Sequence, residues 1–335
     1  MKKIDENCLN LNNIMGKTIA IVYVFEGDNS SGFNHFYVWK SKVIAKWMEA
    51  VQDLKCMPLI LDVRTFADKA INHTLPHIDY VINLNSGIYS LSSMALVPSL
   101  CSSIGVPCIP CDAITIVTGE EKNISNYIAM GIGLKVPEYL PEYNSDGIFR
   151  PINLGNSMGV ILGHVPEGQK GIYQQFISGY DITTPIVYNP CTKQMNVMPT
   201  VVFYPEKEDP HWYYSEQLKH AQSGYVFKTV CIDEKTKRKY LELVNTMGIK
   251  TFCRIDARVK QFRETNGEMY AAFDNTFFVE INVMPTVREN NSFHYSYSSI
   301  SSNDSLTLYI SELKNVVKNP TLNCFLLSSS MMAYI

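Results

Sequence analysis

Two short stretches in the last third constrain this chain most: Cys253-Arg-Ile-Asp-Ala257 and Thr276-Phe-Phe-Val-Glu-Ile-Asn-Val-Met-Pro285. Each is a β-rich run with polar groups at alternate positions, and Gly267 between them suits a hairpin turn. Residues two apart on a strand share a face, so Arg254 points with Asp256, and Glu280 with Asn282. Laid side by side, the strands bring Asp256, Glu280 and Asn282 together. Three hard oxygen donors beside an arginine suit magnesium, or manganese, and a polyphosphate, because such a cation takes few protein ligands and completes its shell with water and phosphate oxygens. Phe277, Phe278, Val279 and Ile281 flank Glu280, and a carboxylate in such a run is costly unless paired or metal-bound. The plainer reading is a solvated acidic face on an exposed hairpin.

The first third reads differently. Residues 18–25 form a continuous apolar, β-branched run of the kind buried on both faces of a parallel sheet. Residues 36–54 carry Val43, Trp47, Val51 and Leu54 at helical spacing. Residues 57–63, 80–84 and 104–109 read as further strands, and this alternation predicts a doubly wound sheet over residues 1–114. The loops at 26–32 and 85–94 follow its strands, where such sheets present ligands.

With 335 residues and a hydrophobic share of 46%, the chain has material for more than one core. A net charge of -3 without any Lys/Arg cluster argues against a nucleic-acid partner. Nine scattered cysteines fit free thiols in a reducing cytosol. The polar residues 1–16 hold no signal-peptide core, and no run reaches the roughly 18 apolar residues that span a bilayer. The expectation is a soluble, cytoplasmic protein with no membrane partner.

From residue 113 onward the pattern changes again. Residues 118–130 read as a helix containing Lys122. Residues 148–161 read as a hairpin whose loop, with Gly155, Asn156, Ser157 and Gly159, can bring bare backbone N–H groups to a phosphate. Residues 171–184 form a hinge-like strand, 206–225 a polar and aromatic loop, and 233–247 and 305–317 two helices.

The R-x-D and E-x-N-x-x-P runs resemble the metal-binding signature of ATP-grasp ligases, in particular the D-alanine–D-alanine ligase branch, and the other segments follow in that family's order from about residue 19 to 317. The resemblance implies an α/β chain with an ATP-grasp fold: a Rossmann-like domain (1–114), a small α+β lid (115–176) and a C-terminal α+β domain (177–335), with ATP between the last two. It implies that Lys122 and Arg150 reach the phosphates; Arg150 stands where the family has lysine, which keeps the charge and alters the geometry. Asn156, Ser157, Met158 and Gly159 would close over the phosphates. Gln174 and Gln175, replacing a charged pair, would meet adenine with Ile177, and Asp181 the ribose. Tyr214 and Lys219, with His220, would cover the active site. Asp256, Glu280 and Asn282 would hold Mg2+ or Mn2+, and Arg254 would stabilise a tetrahedral oxyanion.

The chemistry so implied is ligation: a small carboxylate is phosphorylated by ATP, and an amine then displaces phosphate. A carrier-protein thiol or a hydroxyl as acceptor stays open, as does a non-catalytic nucleotide-binding protein, and family habit implies a homodimer. The family's first-substrate glutamate and its Gly-Glu-Asp-Gly run correspond to residues 27–34 and 86–93; the second stretch contains no acid. A zwitterionic alanine would lose its charged partner, so D-alanyl-D-alanine is not the expected product.

Overall fold

The computed structural model describes residues 10–24, 41–87, 91–141, 144–152, 154–207, 209–221, 223–265, 267–302 and 304–335. The first sheet holds β1 (Thr18–Tyr23), β2 (Met57–Asp62), β3 (Tyr80–Leu84) and β4 (Cys108–Ile109), in the order β2-β1-β3-β4. All its pairings are parallel. Ile19, Ala20, Ile21 and Val22 are buried, as a strand covered on both faces requires. Three helices join these strands: α1 (Ser41–Asp53), α2 (Val63–Ile71) and α3 (Leu96–Ile104). The strand expected over 104–109 is therefore the end of α3 followed by a two-residue β4. Helix α2 follows β2 without a loop because Asp62 ends the strand and caps the helix, accepting from the Arg64 and Thr65 amides.

Next come α4 (Ala113–Glu120) and α5 (Lys122–Gly131), where one helix was expected. The chain breaks at Glu121, at φ −80 and ψ 103. Helix α4 is pressed against the segment leaving the metal-signature strand, since a Cβ on Gly119 would lie 2.5 Å from Val283. The break lets Lys122 start a new helix aimed toward the cleft.

A small sheet, called the lid sheet here after the expectation for residues 115–176, is antiparallel: β5 (Gly147–Pro151), β6 (Ile161–Leu162) and β7 (Gly171–Gln175), in the order β6-β5-β7. The largest sheet holds β8 (Tyr180–Asn189), β9 (Gln194–Val197), β10 (Thr200–Pro205), β11 (Tyr225–Ile232), β12 (Phe252–Val259), β13 (Arg263–Thr265), β14 (Glu268–Ala271) and β15 (Thr276–Asn282). Its order is β13-β14-β11-β10-β8-β12-β15, with β9 on β8. One expectation is corrected here. Strands β12 and β15 are antiparallel neighbours, yet Gly267 does not turn one into the other; it turns β13 into β14 at the opposite edge of the sheet.

Five more helices complete the chain: α6 (Glu216–Ala221), α7 (Glu234–Thr246), α8 (Ser292–Ser298), α9 (Thr307–Val316) and α10 (Leu322–Met332). Helix α10 is buried from Leu322 to Met331. Its apolar side chains join Trp47, Val51 and Leu54 of the first layer to Val187 and Phe252 of the large sheet in one core. Its serines are all satisfied: Ser328 and Ser330 donate within the helix to the Cys324 and Leu326 carbonyls, and Ser329 donates across to the Tyr188 carbonyl of β8. Among the described residues the cysteines are free, with Cys231 the exposed one, and no helix is long and apolar enough to cross a membrane.

Phe325 is fully buried in that joint core. Truncation to alanine is expected to lower unfolding free energy by about 3–5 kcal/mol, as for other buried aromatics. Urea denaturation measures this, and a loss under about 1 kcal/mol would place α10 outside the core.

Candidate active site

Strand register brings the acids together. Arg254 pairs directly with Asn282, and Asp256 with Glu280. At the next step Ala257 faces Phe278, so Val279 is an extra residue, a β-bulge. A bulge frees backbone groups from the ladder, and the Val279 carbonyl is taken by Arg150 Nη1 at 3.0 Å. The lid sheet is thereby tied to β15 at the position beside Glu280.

Asp256 is held on all sides. It accepts from Thr183 Oγ1 at 2.8 Å, from Arg254 Nε and Nη2 at 3.0 and 2.8 Å, and from Asn282 Nδ2 at 2.9 Å. The two-pronged contact fixes Arg254 flat against the strand face. Burial opposes charge on Arg254, but Asp256 and Glu280 outweigh it and raise its pKa.

Glu280 faces the opposite problem: too many cations. Lys122 Nζ stands 3.9 Å from its carboxylate and also donates to the Leu154 carbonyl at 2.7 Å. Burial pushes the Glu280 carboxyl up, yet Lys122, Arg150, Lys219 and Arg254 together hold it below the usual range. Burial in turn lowers Lys122 and Lys219, aided by Arg150 and Arg254 respectively, against the pull of Glu280. Glu120, at the end of α4, is pushed up to about 7 by burial and by the Glu280 charge, against Lys122. Four cations stand around Glu280, with Asp256 bonded to Arg254 as a second carboxylate, so the site keeps spare positive charge, which a polyphosphate would satisfy.

A cleft between the lid sheet and the large sheet is lined by Lys122, Arg150, Ser157, Gln174, Gln175 and Ile177, together with Asp181, Tyr214 and Glu280. Nine of the residues named from sequence thus meet in one cavity. Lys219 adjoins it, donating to Ser157 Oγ at 2.6 Å and lying 5.2 Å from the Tyr214 ring centre. Ser157 in turn donates to the Tyr214 carbonyl at 3.2 Å, which latches the glycine-bearing loop to the covering loop. Asn156, Ser157 and Gly159 all have φ between 61 and 67, the left-handed geometry that turns backbone N–H groups outward. Met158 is buried and Asn156 and Gly159 are exposed; none of the three lines the cleft.

Gln174 is buried and spends its amide on structure, accepting from Arg150 at 2.6 Å and donating to the Pro137 carbonyl at 3.0 Å. Gln175 is the exposed one of the pair. Asp181 is ion-paired to Arg258 at 2.9 Å. Residues 27–34, residues 88–90 of the second loop and the His220 side chain lie outside the described residues. Sequence reasoning passed over Glu120, Tyr213 and Arg258. Arg258 was readable, since Arg254, Asp256 and Arg258 alternate on one strand face.

Among the described residues, no three His, Cys, Asp or Glu side chains are grouped as a metal cage. Two acids and an amide on adjacent strands are instead the donor types of a cation that keeps several oxygens from water or phosphate, and Asp256, Glu280 and Asn282 fit magnesium once Asp256 gives up part of its contacts to Arg254 and Asn282.

No family model and no curated relative matches the sequence. Solved structures do. D-alanine–D-alanine ligase from Bacillus anthracis, complexed with ATP, superposes with a TM-score of 0.61 at 13% identity, covering 94% of this chain and 97% of that one. D-alanyl-alanine synthetase A from Vibrio cholerae gives 0.59 at 15% identity, with 91% and 100% covered. VanG D-Ala:D-Ser ligase from Enterococcus faecalis gives 0.55 at 12% identity, with 96% and 100% covered. The chain therefore has an ATP-grasp fold of the D-alanine–D-alanine ligase type.

The charge balance at Glu280 has a sign. A carboxyl held low in the folded state contributes stability above its unfolded pKa, near 4.5, and loses it as pH falls through the folded value. Glu280→Gln is expected to lower the Tm at pH 7, with the gap narrowing below pH 4.5. An equal gap at pH 7 and pH 3 would separate Glu280 from the cations.

Proposed function

We propose that this chain is an ATP-dependent ligase that joins a carboxylate to an amine through an acyl phosphate. The observation that carries the reading is the gathering of four cations about Glu280: Lys122 stands 3.9 Å from it, Arg150 bonds the neighbouring Val279 carbonyl, Arg254 faces Asn282 on the same strand, and Lys219 is held on Ser157 of the cleft wall. The ATP complex of the Bacillus anthracis ligase supports ATP as the nucleotide. The division into a Rossmann-like domain, a lid and a C-terminal domain, with the nucleotide between the last two, belongs to the same proposal.

In the first step a substrate carboxylate oxygen attacks the γ-phosphorus and ADP departs. In the second the amine attacks the acyl carbon and phosphate departs. Lys122 and Arg150 bind phosphate oxygens from the lid side, and the latch of Ser157 with Lys219 closes over them. Arg254, immobilised by Asp256, donates to the oxyanion that forms at the acyl carbon. Asp256, Glu280 and Asn282 would hold the magnesium, which when bound supplies charge neutralisation at the phosphates. Gln175, Ile177 and Asp181 line the nucleoside end. A carrier thiol or a hydroxyl remains the alternative acceptor.

The defining experiment is phosphate release across carboxylate and amine pairs, with product identification by mass; no release above background with any pair, and no ATP binding, would defeat the proposal. Glu280→Gln or Asp256→Asn is expected to cut kcat by more than tenfold, about 1.4 kcal/mol in the barrier. Lys122→Ala is expected to raise the KM for ATP. With D-alanine as the sole amino acid we expect no dipeptide, because residues 86–93 lack both acids of the family's Gly-Glu-Asp-Gly run; dipeptide at ordinary ligase rates would refute that.

A further inference from the structure

We infer that Arg258 is a positioning residue that shapes the nucleoside end of the cleft by tying the link between lid and large sheet to the loop carrying Tyr214 and Lys219. It rests on the ligase reading only for what the cleft holds. Arg258 is 5% exposed and lines the cleft. Its Nε donates to the Ile177 carbonyl, and its Nη2 donates to the Gly179 carbonyl at 3.0 Å and the Trp212 carbonyl at 2.8 Å. Its Nη1 lies 2.9 Å from Asp181, and its guanidinium carbon lies 4.8 Å from the Phe176 ring centre.

These partners come from two segments that share no β-pairing here, 176–181 and 212. Asp181 extends the connection by accepting the Tyr214 amide at 2.7 Å. Ser178 adds a second tie, donating to the Pro210 carbonyl at 2.8 Å. The link is also pressed onto β12 itself: Gly179 has φ +135, and a Cβ there would fall 2.1 Å from the Val259 carbonyl oxygen. Phe176, Ile177, Asp181, Tyr213 and Tyr214 all line the cleft, so a single guanidinium stands behind five wall residues.

The chemistry requires arginine. A buried cation is tolerated when several acceptors surround it, and a planar fork can donate to three carbonyls while its remaining nitrogen stays within ion-pair distance of a carboxylate, without hydrogen-bond geometry. A lysine concentrates its donors on one atom and cannot span them. Arg258 makes no described hydrogen bond or ion pair to Lys122, Arg254, Asp256 or Glu280, and it reaches Lys219 only through the segment it holds, so its loss should act more on nucleotide binding than on the chemical step.

Wild type, Arg258→Ala, Arg258→Met and Arg258→Lys are titrated with ATP, and ADP release gives kcat and KM. We expect at least a tenfold rise in Kd and in KM for ATP in the alanine and methionine variants, a smaller rise for lysine, and a fall in kcat that is smaller than the rise in KM. Millimolar guanidinium should restore ATP affinity to Arg258→Ala, and methylammonium should not. Unchanged affinity in Arg258→Met, kcat falling as much as KM rises, or no preference for guanidinium over methylammonium in the rescue would overturn the inference. If wild type itself fails to bind ATP, the ligase reading fails while Arg258 is still tested: amide exchange at Tyr214 should quicken at least tenfold in Arg258→Ala and slow again with guanidinium, and exchange equal to wild type would overturn it.

Discussion

Charge that cannot be left in water organises this molecule. Glu280 sits where two lysines and two arginines from four different segments converge, namely Lys122 from α5, Arg150 from β5, Lys219 from α6 and Arg254 from β12. Like charges brought this close repel unless something negative stands among them, and each desolvated cation adds to the cost. The arrangement holds together because each cation is also anchored elsewhere: Lys122 on Leu154, Arg150 on Val279 and Gln174, Lys219 on Ser157, Arg254 on Asp256. The anchors are mostly backbone carbonyls and neutral side chains, which hold a cation in place without cancelling its charge.

That distinction separates the two arginines of β12. Arg254 and Arg258 share a strand face, and each meets an aspartate, at 2.8 and 2.9 Å. Arg254 gives two N–H groups to Asp256 and stands among the cations around Glu280. Arg258 gives its donors to three carbonyls and becomes part of the scaffold. Between them the bulge at Val279 shifts the register of β15 and turns a carbonyl toward the lid. A regular ladder would have kept that carbonyl within the sheet.

Local pattern was enough for much of this. The runs at 18–23, 57–62 and 80–84 stand as strands because their apolar, β-branched composition has no helical competitor, and the alternation around Arg254 and Glu280 foretold the facing acids. What escaped had specific causes. Helix α10 has no polar face, so it shows no helical period. Strand β11 is largely exposed at Val226, Phe227, Lys228 and Thr229 and so shows no alternation. The excursion of β13 and β14 to the far edge is a non-local pairing that no window of sequence contains. Gln174 looked like a base reader because glutamine can pair with adenine, whereas its partners Arg150 and Pro137 were visible only in three dimensions.

Helix α10 has a consequence in time. Its side chains complete the core that α1 and the first sheet begin, yet the ribosome makes residues 322–332 roughly 15 to 50 seconds after α1, at 5–20 residues per second. Through that interval the inner faces of Trp47, Val51 and Leu54 lack their native cover. The parallel sheet can pair early, but its outer layer closes only when α10 arrives. Unfolding of α10 from the finished molecule would reopen the first layer and the large sheet together.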